Sequence, residues 1–179
     1  MRVIGVDPGS RVTGWGVIDC DSRGEPTHVA HGCLRLGDGA LAERLGGILA
    51  GLGECIDHWA PAVMALETAF VSRNAATALK LGQARGAAIC AGVQRALTVS
   101  EYAPRAVKLA VVGYGNAGKP QIQHMVRMLL RLAEAPASDA ADALAVAICH
   151  GHSEATRARL AAAGAEGGSR VGLGRGVGR

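Results

Sequence analysis

Residues 2–19 read RVIGVDPGSRVTGWGVID. RVIGVD, residues 2–7, is a short apolar run that ends on a carboxylate, as a buried strand does when it reaches an open sheet end. DPGSR is turn chemistry: Asp, Gly and Ser flank a Pro that fixes its own φ. VTGWGVID, residues 12–19, alternates as a second strand, and its glycines allow close approach of backbone or ligand. THVAHGCLR (27–35) reads as a third, and the short spacings predict an antiparallel meander. Outward from there the period changes. Leu41, Leu45, Ile48, Leu49, Leu52 and Ile56 share one face of a helix over 40–58. AVMALE (62–67) is a fourth strand, again closing on an acid, Glu67. A small-residue helix over 73–94, a fifth strand over 96–102 and a helix from Pro104 to near Gly113 follow. GYGNAGKP is a Gly-rich loop. A helix from about Pro120 keeps Ile122, Met125, Val126, Leu129 and Leu130 in register until Pro136 breaks it, and a last helix is expected over 138–151. The pattern is α/β, with a mixed five-stranded sheet flanked by helices.

The 179 residues suit one domain. It is expected over 1–155, with 156–179 a frayed helix end and a disordered basic tail rich in Gly, Ala and Arg. With one Phe, two Trp and two Tyr, the core must be built from Ala, Val, Leu and Ile; Trp15 and Trp59 read as packing residues. No apolar run approaches the roughly 20 residues of a membrane span, and no secretory signal is evident. Five cysteines without CxxC spacing argue against a disulfide framework or a zinc site and for a reducing cytoplasm. Residues 1–72 carry nine Asp or Glu against five Arg, whereas 73–131 carry nine Lys or Arg against Glu101 alone. An acidic part beside a basic part is what a cation site next to a polyanion-binding surface requires.

Asp7, Glu67 and the pair Asp139 and Asp142 are the candidate site. Each has a local explanation, since Asp before Pro-Gly starts turns and acids in a first helical turn satisfy free N–H groups. Two apolar strands closing on acids, with an i, i+3 pair at a helix start, point instead to one converging site. Clustered carboxylates repel unless a cation neutralises them, and carboxylate oxygens suit Mg²⁺ or Mn²⁺. Two such ions, roughly 3.5–4 Å apart, hold an attacking water and a leaving oxygen in line across a phosphate. On that reading Asp7 is shared, Glu67 holds one ion, and Asp142 with Asp139 the other.

IGVDPGSRVTGWGVID, ALKLGQARG, VKLAVVGYGNAGKPQIQHMVRMLL and SDAADALAVAI closely resemble the bacterial RuvC crossover junction endodeoxyribonucleases, over about residues 1–152 and in the family's order. The resemblance implies a ribonuclease-H-like fold and a homodimer. It implies Mg²⁺-dependent resolution of four-way (Holliday) DNA junctions by paired symmetric nicks, leaving 5′-phosphates, in recombination and repair alongside the RuvA–RuvB branch-migration complex. It places the family's four catalytic acids on Asp7, Glu67, Asp139 and Asp142. Some relatives carry His in place of the third acid; this chain has Asp139. An aromatic at Phe70 resembles a wedge that stacks on an unpaired base at the junction centre. Lys108 and Lys119 match lysines near the scissile backbone. Arg73, Asn74, Lys80, Arg85 and Arg105 are further expected phosphate contacts, which position DNA without reading it.

The small-residue helix ALKLGQARGAAICAG suits a two-fold contact as well as a core. His150 and His152 read as residues near a helix C-terminus, stabilised by its dipole, and His124 as structural or a DNA contact. Rival readings are a phosphotransferase of the actin and sugar-kinase type, which needs a second domain to enclose ATP, a nuclease of this fold with another substrate, and a non-catalytic junction-binding protein.

Overall fold

The structure, a computed structural model, describes residues 1–68 and 74–168, with side chains as far as residue 163. Phe70 and Arg73 therefore lie outside the described residues. Five strands, β1 (Arg2–Asp7), β2 (Val12–Cys20), β3 (Pro26–Arg35), β4 (Val63–Glu67) and β5 (Thr98–Tyr102), form one sheet of order β3-β2-β1-β4-β5. β2 pairs antiparallel with both β1 and β3, while β4 pairs parallel with both β1 and β5. The mixed sheet expected from the sequence is the one observed.

Strand alternation sorts the core into two layers. Ile4, Val6, Val17, Met64 and Leu66 face α1 (Leu41–Trp59) and α2 (Ala75–Val93), packing on Ile48, Leu52, Ile56, Ala84 and Ala88. Val3, Ile18, Val63 and Ala65 face the other way, under α3 (Pro104–Val112), α4 (Lys119–Leu129) and α5 (Ser138–Gly168). Aliphatic and alanine side chains dominate both layers, each large one worth about 1.5–3 kcal/mol when fully buried. The same alternation decides where the acids go. Asp7 and Glu67 lie two residues beyond Gly5 and Ala65, so both side chains belong to the α5 face.

α5 rests on that face almost backbone to backbone. A Cβ on Gly5 would stand 2.0 Å from the Ala143 carbonyl oxygen, and one on Gly14 would stand 2.0 Å from the Asp139 carbonyl oxygen. Gly16 receives the Leu144 side chain. Glycine in these strands and alanine in the helix are thus one feature, a close seat for the start of α5.

The last helix differs from expectation. It runs to Gly168, not 151. The β2–β3 turn holds it: Gly24, at φ 86°, lies under Gly151 and Ala155, and Arg159 donates to the Arg23 carbonyl at 2.9 Å. Alanine-rich sequence favours helix, and residues 156–163 are exposed on every side, so no amphipathic period marks the continuation. His150 is consequently mid-helix and buried, bonded to the Tyr102 hydroxyl at 2.8 Å. The terminal-dipole explanation for His150 and His152 does not hold.

Candidate active site

Asp7, Glu67 and Asp142 open into one cleft of about 430 Å³. Lys108 on α3 and Lys119 on α4 wall it, with an apolar lining of Pro104, Val107, Ile122 and Ala145. Each side chain has a local cause. Asp7 and Glu67 are the last residues of adjacent parallel strands whose register pairs Val6 with Leu66. Asp142 lies one turn into α5. Pro104 opens α3 at its first position, and Gly113, at φ 84°, closes it. The Gly118 amide is capped by the Gln121 side chain at 2.8 Å, which starts α4 at Lys119.

Asp7 lies in the field of the other three acids. Burial pushes the Asp7 carboxyl up to about 7, helped by the charges of Asp142, Asp139 and Glu67 and opposed by Lys119. Glu67 is also raised, first by burial and then by Asp142, with Lys108 and Lys119 acting against the shift. Lys119 Nζ lies 3.0 Å from Asp142 Oδ2, and this hydrogen-bonded pair raises the Lys119 pKa. Asp139 does not line the cleft. Its carbonyl is pressed against Gly14, and its charge reaches both Asp7 and the Cys33 thiol. Asp7 is therefore the hub on which the other three converge. Among the described residues no three His, Cys, Asp or Glu side chains are closed around a single point; on the Asp142 side the positive charge is that of Lys119.

The remaining expected residues divide. Lys80 and Arg105 are exposed, and Gly115 packs against the Arg105 side chain. Asn74 caps α2 by accepting from the Thr77 amide at 3.1 Å. Arg85 is turned inward: it is 13% exposed, with Nη2 at 2.6 Å from Glu101 Oε2 and Nε at 3.4 Å from the Glu67 carbonyl. Its guanidinium is engaged by protein partners behind β4, unlike the exposed Lys80 and Arg105. Sequence reasoning missed this role and the apolar wall of Val107 and Ile122. The spacing of Val107 and Ile122 beside Lys108 and Lys119 was the available signal.

A mixed sheet with antiparallel β1–β3, parallel β1, β4 and β5, and strand-end carboxylates is a ribonuclease-H-like fold bearing a nuclease-type acidic centre. The family model described as "Crossover junction endodeoxyribonuclease RuvC" matches residues 3–150. The relative of that name from Alkalilimnicola ehrlichii is 53% identical over 164 residues, covering 92% of this chain and 99% of that protein. The one from Halorhodospira halophila is 55% identical over 166 residues, covering 92% and 98%. The solved structure of T. thermophilus RuvC in complex with Holliday junction substrate superposes with a TM-score of 0.82 at 33% identity, covering 88% of this chain and 96% of that one. The chain belongs to the RuvC family of crossover junction endodeoxyribonucleases. Among the described residues no helix is long and apolar enough to cross a membrane.

Proposed function

We propose that this protein resolves four-way DNA junctions by paired symmetric nicks, hydrolysing one phosphodiester on each of two opposed strands and leaving 5′-phosphates. The observation that carries the reading is the meeting of Asp7, Glu67 and Asp142 with Lys108 and Lys119 in one cleft. A non-catalytic DNA binder gains nothing from carboxylates that repel its ligand.

The donor set fits divalent cations. All candidate ligands are hard oxygens, and burial, with repulsion from Asp142, Asp139 and Glu67, pushes the Asp7 carboxyl up to about 7, a penalty that a cation relieves. Asp7 with Glu67, and Asp7 with Asp142 and Asp139, are the residues that would hold two Mg²⁺ ions, with Mn²⁺ able to substitute. The chemistry a bound pair supplies is acidification of the attacking water and charge relief at the leaving 3′-oxygen. The chain's own side chains do the rest. Lys119 is 73% exposed and can turn from Asp142 to a phosphate oxygen; Lys108 neutralises the backbone from α3. Val107, Ile122 and Pro104 exclude bulk water, which strengthens every charge interaction in the cleft. Phe70, three residues beyond Glu67, keeps the stacking role that the family resemblance implies, and Arg73, Lys80 and Arg105 the backbone contacts.

Paired nicks need two active sites. α2 supplies a surface for a homodimer: Leu79, Gly86 and Val93 recur at heptad spacing with Gly82, Gln83 and Cys90 beside them. Leu79 is 65% and Val93 60% exposed, and a Cβ added at Gly82 or Gly86 would meet nothing from outside the helix within 4 Å among the described residues. A cytoplasmic location and work alongside a RuvA–RuvB complex are what membership of the family implies. Incubation of a synthetic junction and a linear duplex of the same sequence, with and without Mg²⁺, tests the proposal. Symmetric, ligatable nicks on the junction alone are expected; equal cutting of the duplex, or none of either, refutes it.

A further inference from the structure

We infer that Arg85 is a positioning residue for Glu67, acting from the face of the sheet opposite the cleft. The inference rests on the reading of Glu67 as a residue of the active centre. β4 and β5 pair in parallel with Leu66 opposite Glu101 and Glu67 opposite Tyr102. Leu66 belongs to the layer under α1 and α2, so Glu67 projects its carboxylate towards α5 while Arg85, on α2, approaches from behind. A single guanidinium reaches both strands there: Glu101 on β5 by an ion pair at 2.6 Å, and the main-chain carbonyl of Glu67 at 3.4 Å.

The same peptide group is held from its N–H side as well. The Thr68 amide donates to the Tyr102 carbonyl at 2.8 Å, and the Thr68 hydroxyl donates to the same oxygen at 3.3 Å. Tyr102 is in turn anchored to α5 through His150. The carbonyl of Glu67 and the N–H that follows it are thus fixed from two directions, at the point where the strand ends. The Glu67 carboxylate, three rotatable bonds away, is thereby hung from a fixed stretch of backbone. Hydrogen-bonded supports behind a metal-holding residue typically govern affinity or activity by about 10–100-fold, and Arg is suited to this because its planar fork serves two acceptors at once. Arg85 and the cleft lie on opposite faces of the sheet, and its charge is engaged by Glu101.

The test uses the full chain with Arg85→Met, Arg85→Lys and Glu101→Gln. Four quantities are read: junction affinity in chelator with its salt dependence, single-turnover cleavage at saturating junction, the Mg²⁺ concentration at half-maximal rate, and amide exchange of Thr68 in metal-free protein. Arg85→Met should slow cleavage by about tenfold or more and raise the Mg²⁺ requirement several-fold, and Thr68 exchange should quicken. Chelator binding should stay within about twofold, with an unchanged salt slope. Arg85→Lys should restore only part of the rate, and Glu101→Gln, at a half-exposed carboxylate, should shift rate and exchange in the same direction by less. A phosphate contact gives the opposite pattern: weaker binding, a slope reduced by about 0.9 for Arg85→Met, and recovery with Lys. That pattern, or unaltered cleavage and exchange in all three variants, overturns the inference. Failure of the unmodified protein to cut junctions would refute the functional reading instead, and Thr68 exchange would then decide the role of Arg85 alone.

Discussion

Changing Asp7 to Asn should abolish cutting and, at the same time, stabilise the metal-free protein. Asp7 is the carboxylate most enclosed by like charges, and its pKa stands at about 7 against an ordinary 3.8. The folded state therefore keeps a proton that the unfolded chain has already released. Below the unfolded value both states are protonated and the group is neutral in its effect. As pH rises from about 4 to 7 the folded state becomes progressively disfavoured, and above that the penalty is constant. The gap sets a ceiling of about 4 kcal/mol; solvent at the open side of the cleft reduces this, and about 1–3 kcal/mol is the expected gain for the variant near pH 8. For a domain of this size each kcal/mol moves the midpoint by about 2–4 °C. Thermal unfolding in chelator, followed from about pH 8 down towards pH 4, should show the gain shrinking until the two proteins coincide. Mg²⁺ should raise the midpoint of the unmodified protein and leave Asp7→Asn nearly unmoved, because ligand binding to the folded state is what stabilises. Junction binding in chelator should survive in the variant. Loss of stability in Asp7→Asn near pH 8, or a gain that does not depend on pH, would refute the picture of a repelled and desolvated hub.

Gly14→Ala should push the start of α5 off the sheet, since the new methyl would meet the Asp139 carbonyl at 2.0 Å and the Ala140 nitrogen at 2.9 Å. A loss of about 1–3 kcal/mol in denaturant unfolding, with cleavage falling further than junction affinity, is expected. Lys119→Ala should cost under about 0.5 kcal/mol of stability because the lysine is largely exposed and its ion pair is screened, yet it should lower single-turnover cleavage by at least about tenfold if the ammonium meets charge that develops on the phosphate. Leu79→Glu, on the exposed stripe of α2, should leave the monomer folded by circular dichroism, shift sedimentation to the monomer and turn paired nicks into uncoordinated single ones.

Where elements begin and end was legible in the chain because local chemistry decides it. The period-2 run of β2, the Pro104 start and the Gly113 stop of α3, and the acid-terminated strands all announce themselves within a few residues. Asp7 and Glu67 stood out as candidates because charge at the close of an apolar strand is costly unless a site uses it, and Asp139 and Asp142 as an i, i+3 acidic pair at a helix start. The length of α5 was not legible. Its continuation past His150 depends on the turn at Gly24, more than a hundred residues earlier in the chain, and on alanine propensity that leaves no hydrophobic period.

The amino-acid order alone determined a mixed α/β sheet, its two apolar layers and the acids at its open end, because alternation and turn residues act between near neighbours. Only tertiary packing made Asp7 the hub, set Asp139 at the margin of the cleft, and turned Arg85 from the solvent to the back of Glu67. Those outcomes depend on distances between segments far apart in the chain: how closely α5 lies on Gly5 and Gly14, and which side of β4 faces α2. Burial, and through it the protonation of Asp7 and the partners of Arg85, is fixed by that packing and by nothing local.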